Sequence, residues 1–572
     1  MREALARTRS IAALGWIEGR IRTLSPGDRI IFFTLAGLVA LVALLGLYAL
    51  EQSLLVSVPA YGGTLTEGEI GSPRFINPLL AISDADRDLS ALTYAGLMGL
   101  AGDGSLTPVL AESYSVSEGG KQYTFVLRQN AKFSDGTPVT AADVVFTVEK
   151  AQDPSLKSPG YANWSGVVAE AVDAHTVRFT LPKPYAPFLE VTTLGILPSR
   201  VWRNISDEEF PFSTLETNPM GAGPFVIAGV ARDASGLIAS VSLAANQYYA
   251  PGRPYLNGIR FVFYASSDDL LHALAGGTIG SAYGVPAGRE ESRLLTAPYA
   301  RVFGVFWNPS EQKVFAALPV RKALSLAIDR AAIVKTILGG YATAIMGPVP
   351  PGGGVKQVPV SSPESPTQTA ADILEAAGWK YDGIARIWKN AKATLAGITL
   401  KTSNIPELKS VASAVKSDWE KLGIPTTVEL YEPGDLNQNV IRPRKYEALL
   451  FGEVIGRDQD LYAFWDSQER NDPGLNIALY ANKAVDALLE SARQDTEGAT
   501  RAAALQKIED TVAADYPAAF THAPDFLYTV PKALGGVALP QITTPADRFA
   551  SVASWYLVSE RVWPFFSGTE HR

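Results

Sequence analysis

Asp458 and Asp460 stand two apart in Gly456-Arg-Asp-Gln-Asp-Leu461, a carboxylate pair able to share a proton or hold a cation. The same spacing is equally that of solvated loop acids. No partner that would make the pair catalytic is legible. The chain has no G-x-S-x-G elbow, no G-x-x-x-x-G-K-[ST] loop and no H-E-x-x-H pair, and Gly221-Ala-Gly223-Pro-Phe-Val226 lacks the third glycine of a dinucleotide fingerprint. His175, His272, His522 and His571 are scattered, with no second histidine at i, i+4. Cysteine is absent, which excludes disulfides, thiolate metal sites, a Cys nucleophile and lipid attachment through an N-terminal Cys. Enzyme is therefore the weaker class, and neither a metal nor a cofactor is expected.

The elements that would position such a site alternate between helix and strand. Tyr123, Phe125 and Leu127 alternate with polar neighbours as a half-buried strand, and Ser117-Glu-Gly-Gly120 supplies the turn before it. Thr140-Ala-Ala-Asp143 is a capping-box-like start for a helix running to about Lys150. Pro319 opens PVRKALSLAIDRAAIVKTI, where Val320, Ala323, Leu324, Ala327 and Ile328 recur at helical spacing. Ala370 to Ala377 reads as a helix stopped by Gly378, and Leu408, Val411, Val415, Trp419 and Leu422 stripe another stopped by Gly423. The stretch from Pro348 to Pro366 is a surface loop. With 572 residues and 47 % apolar content, the chain can bury about three cores at roughly 150 residues each.

Ile30 to Leu50, IIFFTLAGLVALVALLGLYAL, is free of charge, and at 1.5 Å per residue its 21 residues make about 31 Å of helix. A cleaved signal is the alternative, but the run is long for one and Val58-Pro-Ala60 is a poor, distant cleavage site. Arg2, Arg7, Arg9, Arg20, Arg22 and Arg29 against Glu3, Glu18 and Asp28 give a net of +3, which holds residues 1–29 in the cytoplasm. The expectation is a single-pass cell-membrane protein, with a span over 30–50, a linker over 51–60 and an extracytoplasmic body. The total charge of −8 leaves about −11 beyond the span, which disfavours nucleic acid.

The run NPLL from Asn77, and TYAGLMGLAGDGSLTPVLAESYSVSEGGKQYTFVLRQNAKFSDGTPVTAADVVFT from Thr93 to Thr147, resemble the signature region of family 5 extracellular solute-binding proteins, the peptide receptors of ABC importers. NPMGAGPF from Asn218, NQYYAPGRPYLNGIRF from Asn246, FWN from Phe306, VRKALSLAIDR from Val320, AADILEAAGW from Ala370 and KLGI from Lys421 follow in the family's order. The resemblance spans roughly Gly62 to Val562. It implies an α/β, two-lobed periplasmic-binding-protein type II-like fold with an extra subdomain in lobe I, preceded here by one transmembrane helix. Lobe I would comprise 60–307 and 530–562, with the subdomain at 96–217. Lobe II would be 308–529, and 563–572 a tail. The implied function is capture of oligopeptides between closing lobes and delivery to an ABC transporter permease, by a monomer. Relatives taking metal chelates, haem or oligosaccharides keep a non-peptide solute open, and an enzyme or adhesion protein on this fold remains a further alternative.

The resemblance also implies site residues. The ammonium-binding aspartate of the peptide receptors lies in a segment corresponding to Phe451-Gly-Glu-Val-Ile-Gly-Arg-Asp-Gln-Asp-Leu461, so Phe451, Gly452, Asp458 and Asp460 are substrate-binding candidates. Asp458 is the preferred partner for the ammonium. Aligning Asp460 with the family's second aspartate instead puts Arg457 at the site, where it would favour an anion. Ser72 and Arg74, in the loop after the first strand, are expected to face the cleft. Trp307 and Asn308 are expected where the chain crosses between lobes. Tyr462 and Trp465 could wall a pocket or lie buried in lobe II.

Overall fold

The computed structural model describes residues 19–566 apart from 287–288, 353, 361–364 and 496–497. Residues 1–18 of the expected stub and 567–572 of the tail lie outside the described residues. Tyr61–Leu557 forms one compact unit, and the two chain ends, up to Ala60 and from Val558, form another.

In the unit of the two ends, the apolar run is one helix, Pro26–Leu54. Ser25 caps it by accepting from the Asp28 amide, and Pro26 fills the first turn, where no amide partner is needed. Its Pro26–Glu51 portion has a mean hydropathy of 2.8, is wholly unburied, and is long and apolar enough to cross a bilayer. The segment expected to be a linker is ordered. The helix runs on to Leu54, and Val56–Ala60 is a strand paired antiparallel with Val558–Val562, Val56 lying opposite Val562 and Ala60 opposite Val558.

The body is α/β. A 12-stranded mixed sheet runs through it in the order 426–431, 398–403, 448–454, 301–307, 518–531, 281–283, 64–70, 258–264, 238–245, 225–232, with 292–298 and 342–344 also pairing on 518–531. The 14-residue strand Ala518–Pro531 joins the two halves: Ala518 to His522 pair with Arg301–Trp307, and Asp525 to Pro531 pair with Ser292–Pro298. The chain therefore passes from one half to the other at Tyr299-Ala300, a full strand before Trp307-Asn308. In the second half, Val305, Leu400 and Leu450 face a core with Val411, Val415 and Trp419, while Phe306, Leu449 and Phe520 face another with Trp465 and Ile508.

Residues 111–180 add a four-stranded antiparallel sheet, Ala111–Ser117, Gln122–Leu127, Thr176–Thr180 and Val168–Ala171, covered by the helix Ala141–Ala151. Tyr123, Phe125 and Leu127 point into its core, as their alternation requires. The Thr140 amide donates to Asp143 Oδ2 at 2.9 Å and the Thr140 hydroxyl to the same oxygen at 2.7 Å, tying the helix start.

The long amphipathic segment from Pro319 is not one helix. Leu318–Leu326 ends near Ile328, and Asp329 starts a new turn by accepting from the Ala332 amide at 2.9 Å. Asp418 takes the Asp329 amide at 2.9 Å, and buried Arg330 donates to the carbonyls of Phe520 (2.7 Å) and Ser325 (2.8 Å). Tertiary hydrogen bonding overrides the helical periodicity here. Helices at Pro366–Ala376 and Pro406–Lys421 follow the sequence pattern closely.

Candidate functional site

Ligands of open α/β sheets bind beyond the carboxyl ends of parallel strands, where strand order reverses. A cavity of about 690 Å³ lies where the halves meet, walled by Tyr283 and Tyr299 from one side and by Phe303, Tyr341 and Glu407 from the other, with Arg301 between them. That volume is in the range of small-molecule and peptide pockets.

Arg301 and Phe303 share a face of Arg301–Trp307 because side chains two apart on a strand point the same way. The Arg301 guanidinium lies 3.9 Å over the Tyr299 ring and donates to its hydroxyl at 2.6 Å. Burial pushes the Tyr299 phenol up to about 12, so it stays neutral beside the arginine. Arg301 Nε is buried without a partner, and Arg301 makes no ion pair among the described residues. It is the one basic side chain among the described residues lining the cavity. Phe303 stacks on His522 with ring centroids 4.9 Å apart; His522 Nδ1 lies 3.1 Å from Thr521 Oγ1, while its Nε2, 3.7 Å from Glu407, has no hydrogen bond.

Gly452 lies directly opposite Phe303. A β-carbon there would come within 2.5 Å of the phenyl ring, so the absence of a side chain is what lets that ring cover the strand. Strand register then determines which main-chain groups are unused. The Asn308 amide donates to Glu447 O at 2.9 Å and the Ile455 amide to Ala300 O at 3.0 Å, so Leu449, Phe451 and Glu453 turn their amides toward Arg301–Trp307. Gly452 and Val454 turn theirs to the opposite edge. Ile398–Ser403 pairs along that edge only at Ala448 and Leu449, after which Thr402 Oγ1 donates to Leu450 O at 2.9 Å. Among the described residues no strand continues past Leu450. Pro406, Glu407 and Ser410, just after the Ile398–Ser403 strand, wall the cavity on that side.

The loop after this strand carries the expected charged cluster. Arg457 is paired twice, with Glu190 at 2.9 Å and Asp547 at 2.8 Å. It bridges three separated parts of the body, its Nε has no hydrogen-bond partner, and it lines a second cavity of about 570 Å³ with Glu190 and Asp547. Asp460 accepts from Arg493 at 2.8 Å and from the Tyr462 amide at 3.2 Å, with the Tyr185 hydroxyl at 3.4 Å. Asp458 is different. Its carboxylate accepts only a long bond from the Asp460 amide at 3.4 Å, while its carbonyl takes Arg501. Burial, with the Asp460 charge adding, raises its pKa to about 6.

The other expected residues are dispersed. Ser72 donates to Ile238 O at 2.9 Å, and Arg74 is exposed over the Phe75 ring at 5.3 Å. Trp307, 1 % exposed, packs against Phe315 and Trp419. Asn308 is spent on a turn, accepting from the Ser310 amide at 2.9 Å and donating to Arg444 O at 2.7 Å. The strand ending at Trp307 has already entered the second half, which is why both lie in its interior rather than at a crossing. Trp465 is fully buried against Phe520 and Tyr480, while Tyr462 is half-buried with Arg493 4.5 Å over its ring. Phe451 packs against the core that holds Trp465, and neither it nor Gly452 walls the cavity; Gly452 meets it only through Phe303, opposite on the neighbouring strand. Tyr299, Arg301 and Tyr341 were missed, although the Arg-x-Phe alternation ahead of FWN is the signal that marks them.

The family described as bacterial extracellular solute-binding proteins, family 5 middle, matches residues 105–472. The chain belongs to family 5 of the bacterial extracellular solute-binding proteins. Protein XP55 of Streptomyces lividans is 30 % identical over 502 residues, 85 % of this chain and 87 % of its own. The oligopeptide-binding protein AppA of Bacillus subtilis is 26 % identical over 87 % of this chain and 92 % of its own. Its structure with a nonapeptide superposes with a TM-score of 0.68 at 24 % identity over 88 % of this chain and 100 % of AppA. NikZ of Campylobacter jejuni, solved with Ni(L-His), superposes with a TM-score of 0.67 at 23 % identity over 86 % of this chain and 99 % of NikZ. These matches establish the two-lobed family 5 fold.

Proposed function

We propose that this protein is the membrane-anchored receptor of an ABC importer and captures oligopeptides in the cavity between its halves. The observation that carries the reading is the unpaired edge at Gly452 and Val454 beside an aromatic cavity. An extended peptide adds to such an edge through its own main chain, and roomy walls then accept varied side chains. Arg301, which has no carboxylate partner among the described residues, receives the solute's carboxylate by charge-assisted hydrogen bonds. Asp458 is the candidate for a peptide ammonium, being the loop carboxylate with no ion pair among the described residues, although Arg501 meets its carbonyl. AppA, by its name and its nonapeptide complex, supports the peptide reading. The helix Pro26–Leu54 would be the tether, holding the receptor near its permease and raising its local concentration.

Arg301 also suits a carboxylate-bearing chelate, the class that NikZ holds. Mass spectrometry of what detergent-purified full chain carries separates these readings. Heterogeneous short peptides are the expected result; one recurring chelate or sugar overturns the peptide assignment while leaving capture intact.

A further inference from the structure

We infer that the C-terminal strand returns an aromatic pair, Trp563 and Phe565, to the membrane surface from which the N-terminal helix emerges. This rests on the anchor reading of that helix. Val56–Ala60 follows the helix after one residue and, on that reading, leads away from the bilayer. Val558–Val562 is antiparallel to it, so it runs back, and its last residue, Val562, lies opposite Val56. Trp563 is therefore level with Leu55. From Leu50, the end of the charge-free run, to Leu55 is five residues, about 7.5 Å of helical rise. The headgroup layer on each face of a bilayer is roughly 5–7 Å deep. Trp563 thus arrives at its outer rim, and a short helical turn, Pro564–Phe566, continues from there.

The residue types suit that depth. Trp563 and Phe565 stack with centroids 6.3 Å apart, and Phe565 is 67 % exposed. In water such a pair is an unfavourable apolar patch, whereas in the interface it gains burial while the indole N–H stays hydrated. Tyr48, 61 % exposed near the end of the apolar run, lies about 10 Å of helical rise below Leu55, at the inner edge of the same headgroup layer. Both ends of the chain would then hold the membrane, one by spanning it and one by resting on it.

The chain contains no cysteine, so a single introduced thiol reports its own site. Full-length Phe565→Cys, Leu41→Cys and Ile384→Cys are each labelled with an environment-sensitive dye in liposomes of phosphatidylcholine and phosphatidylglycerol. Ile384 is 99 % exposed on the body and serves as the water reference. The dye at 565 should be quenched at least about twofold more by headgroup spin labels than the dye at 384, and less by mid-chain labels than the dye at 41. Trp563→Ser in the Phe565→Cys background should reduce that quenching. A dye at 565 that behaves like the one at 384, with the dye at 41 deep in lipid, overturns the proposal and leaves the anchor standing. A dye at 41 in water overturns both.

Discussion

Glu453 occupies a strand position in the second half's interior, opposite Val302, with neither carboxylate oxygen hydrogen-bonded. Burial alone raises its pKa well above the ordinary carboxyl value, which favours the protonated form in the folded protein. Glu216 and Glu509 are also buried and pushed up to about 7, by desolvation that their bonds to Asn77 and Val349 only partly offset. The sign follows from proton counting. Between the ordinary value near 4.5 and about 7 the folded state binds protons that the unfolded state has lost, so stability falls as pH rises through this window. Glu453→Gln keeps the shape and removes the titration. It should raise the melting midpoint at pH 8, by roughly 1 kcal/mol or more in stability, and change little at pH 5. Differential scanning fluorimetry across pH reads both, and an equal shift at the two pH values would contradict the account. None of this was visible in the sequence, where GEV reads as a strand end with a surface glutamate. Asp458 and Asp460 were visible as a pair, but only the structure separates them, because Arg493 and Tyr185 reach Asp460 from distant parts of the chain.

The loop joining Ala448–Val454 to the short helix Tyr462–Trp465 is the element on which the site turns. Gly456 and Gln459 take left-handed backbone conformations, at φ 80° and 53°, which folds the loop tightly around Arg457 and Asp458. Arg457 draws Glu190 of the subdomain and Asp547 near the C-terminal end of the body onto this loop. Arg457→Met leaves both carboxylates partly buried without their cation, and should cost about 2 kcal/mol in urea unfolding. A loss below a few tenths of a kcal/mol would show the pairs to be incidental. Elements were legible where local pattern and burial agree, as in Gln122–Leu127 and Pro406–Lys421. They were not legible where distant groups decide, as at Ile328, where hydrogen bonds from Asp418 and Arg330 end a helix whose apolar stripe continues.

At the scale of the molecule, collinear motifs over most of the chain disclosed the family and the two-lobed fold. They placed the chain's crossing at Trp307-Asn308, whereas strand pairing puts it at Tyr299-Ala300, beside Arg301. FWN reads as a landmark of sequence, whereas it ends the strand Arg301–Trp307, and Tyr299 and Arg301 at that strand's start went unremarked. The ordered pairing of residues 56–60 with 558–562 was equally hidden: Val56, Val58 and Ala60 alternate, but Val558-Ser-Glu-Arg-Val562 shows no such pattern. The central claim is that a solute adds to the open edge of Ala448–Val454. Hydrogen exchange resolved to single amides, on the full chain with and without a mixed pool of tri- to pentapeptides, tests it most directly. The account predicts that the Gly452 and Val454 amides exchange readily in the free protein and become protected with the pool, while Phe451 and Glu453, already bonded to Arg301–Trp307, do not change. No protection at Gly452 and Val454, or protection confined to other surfaces, would contradict it.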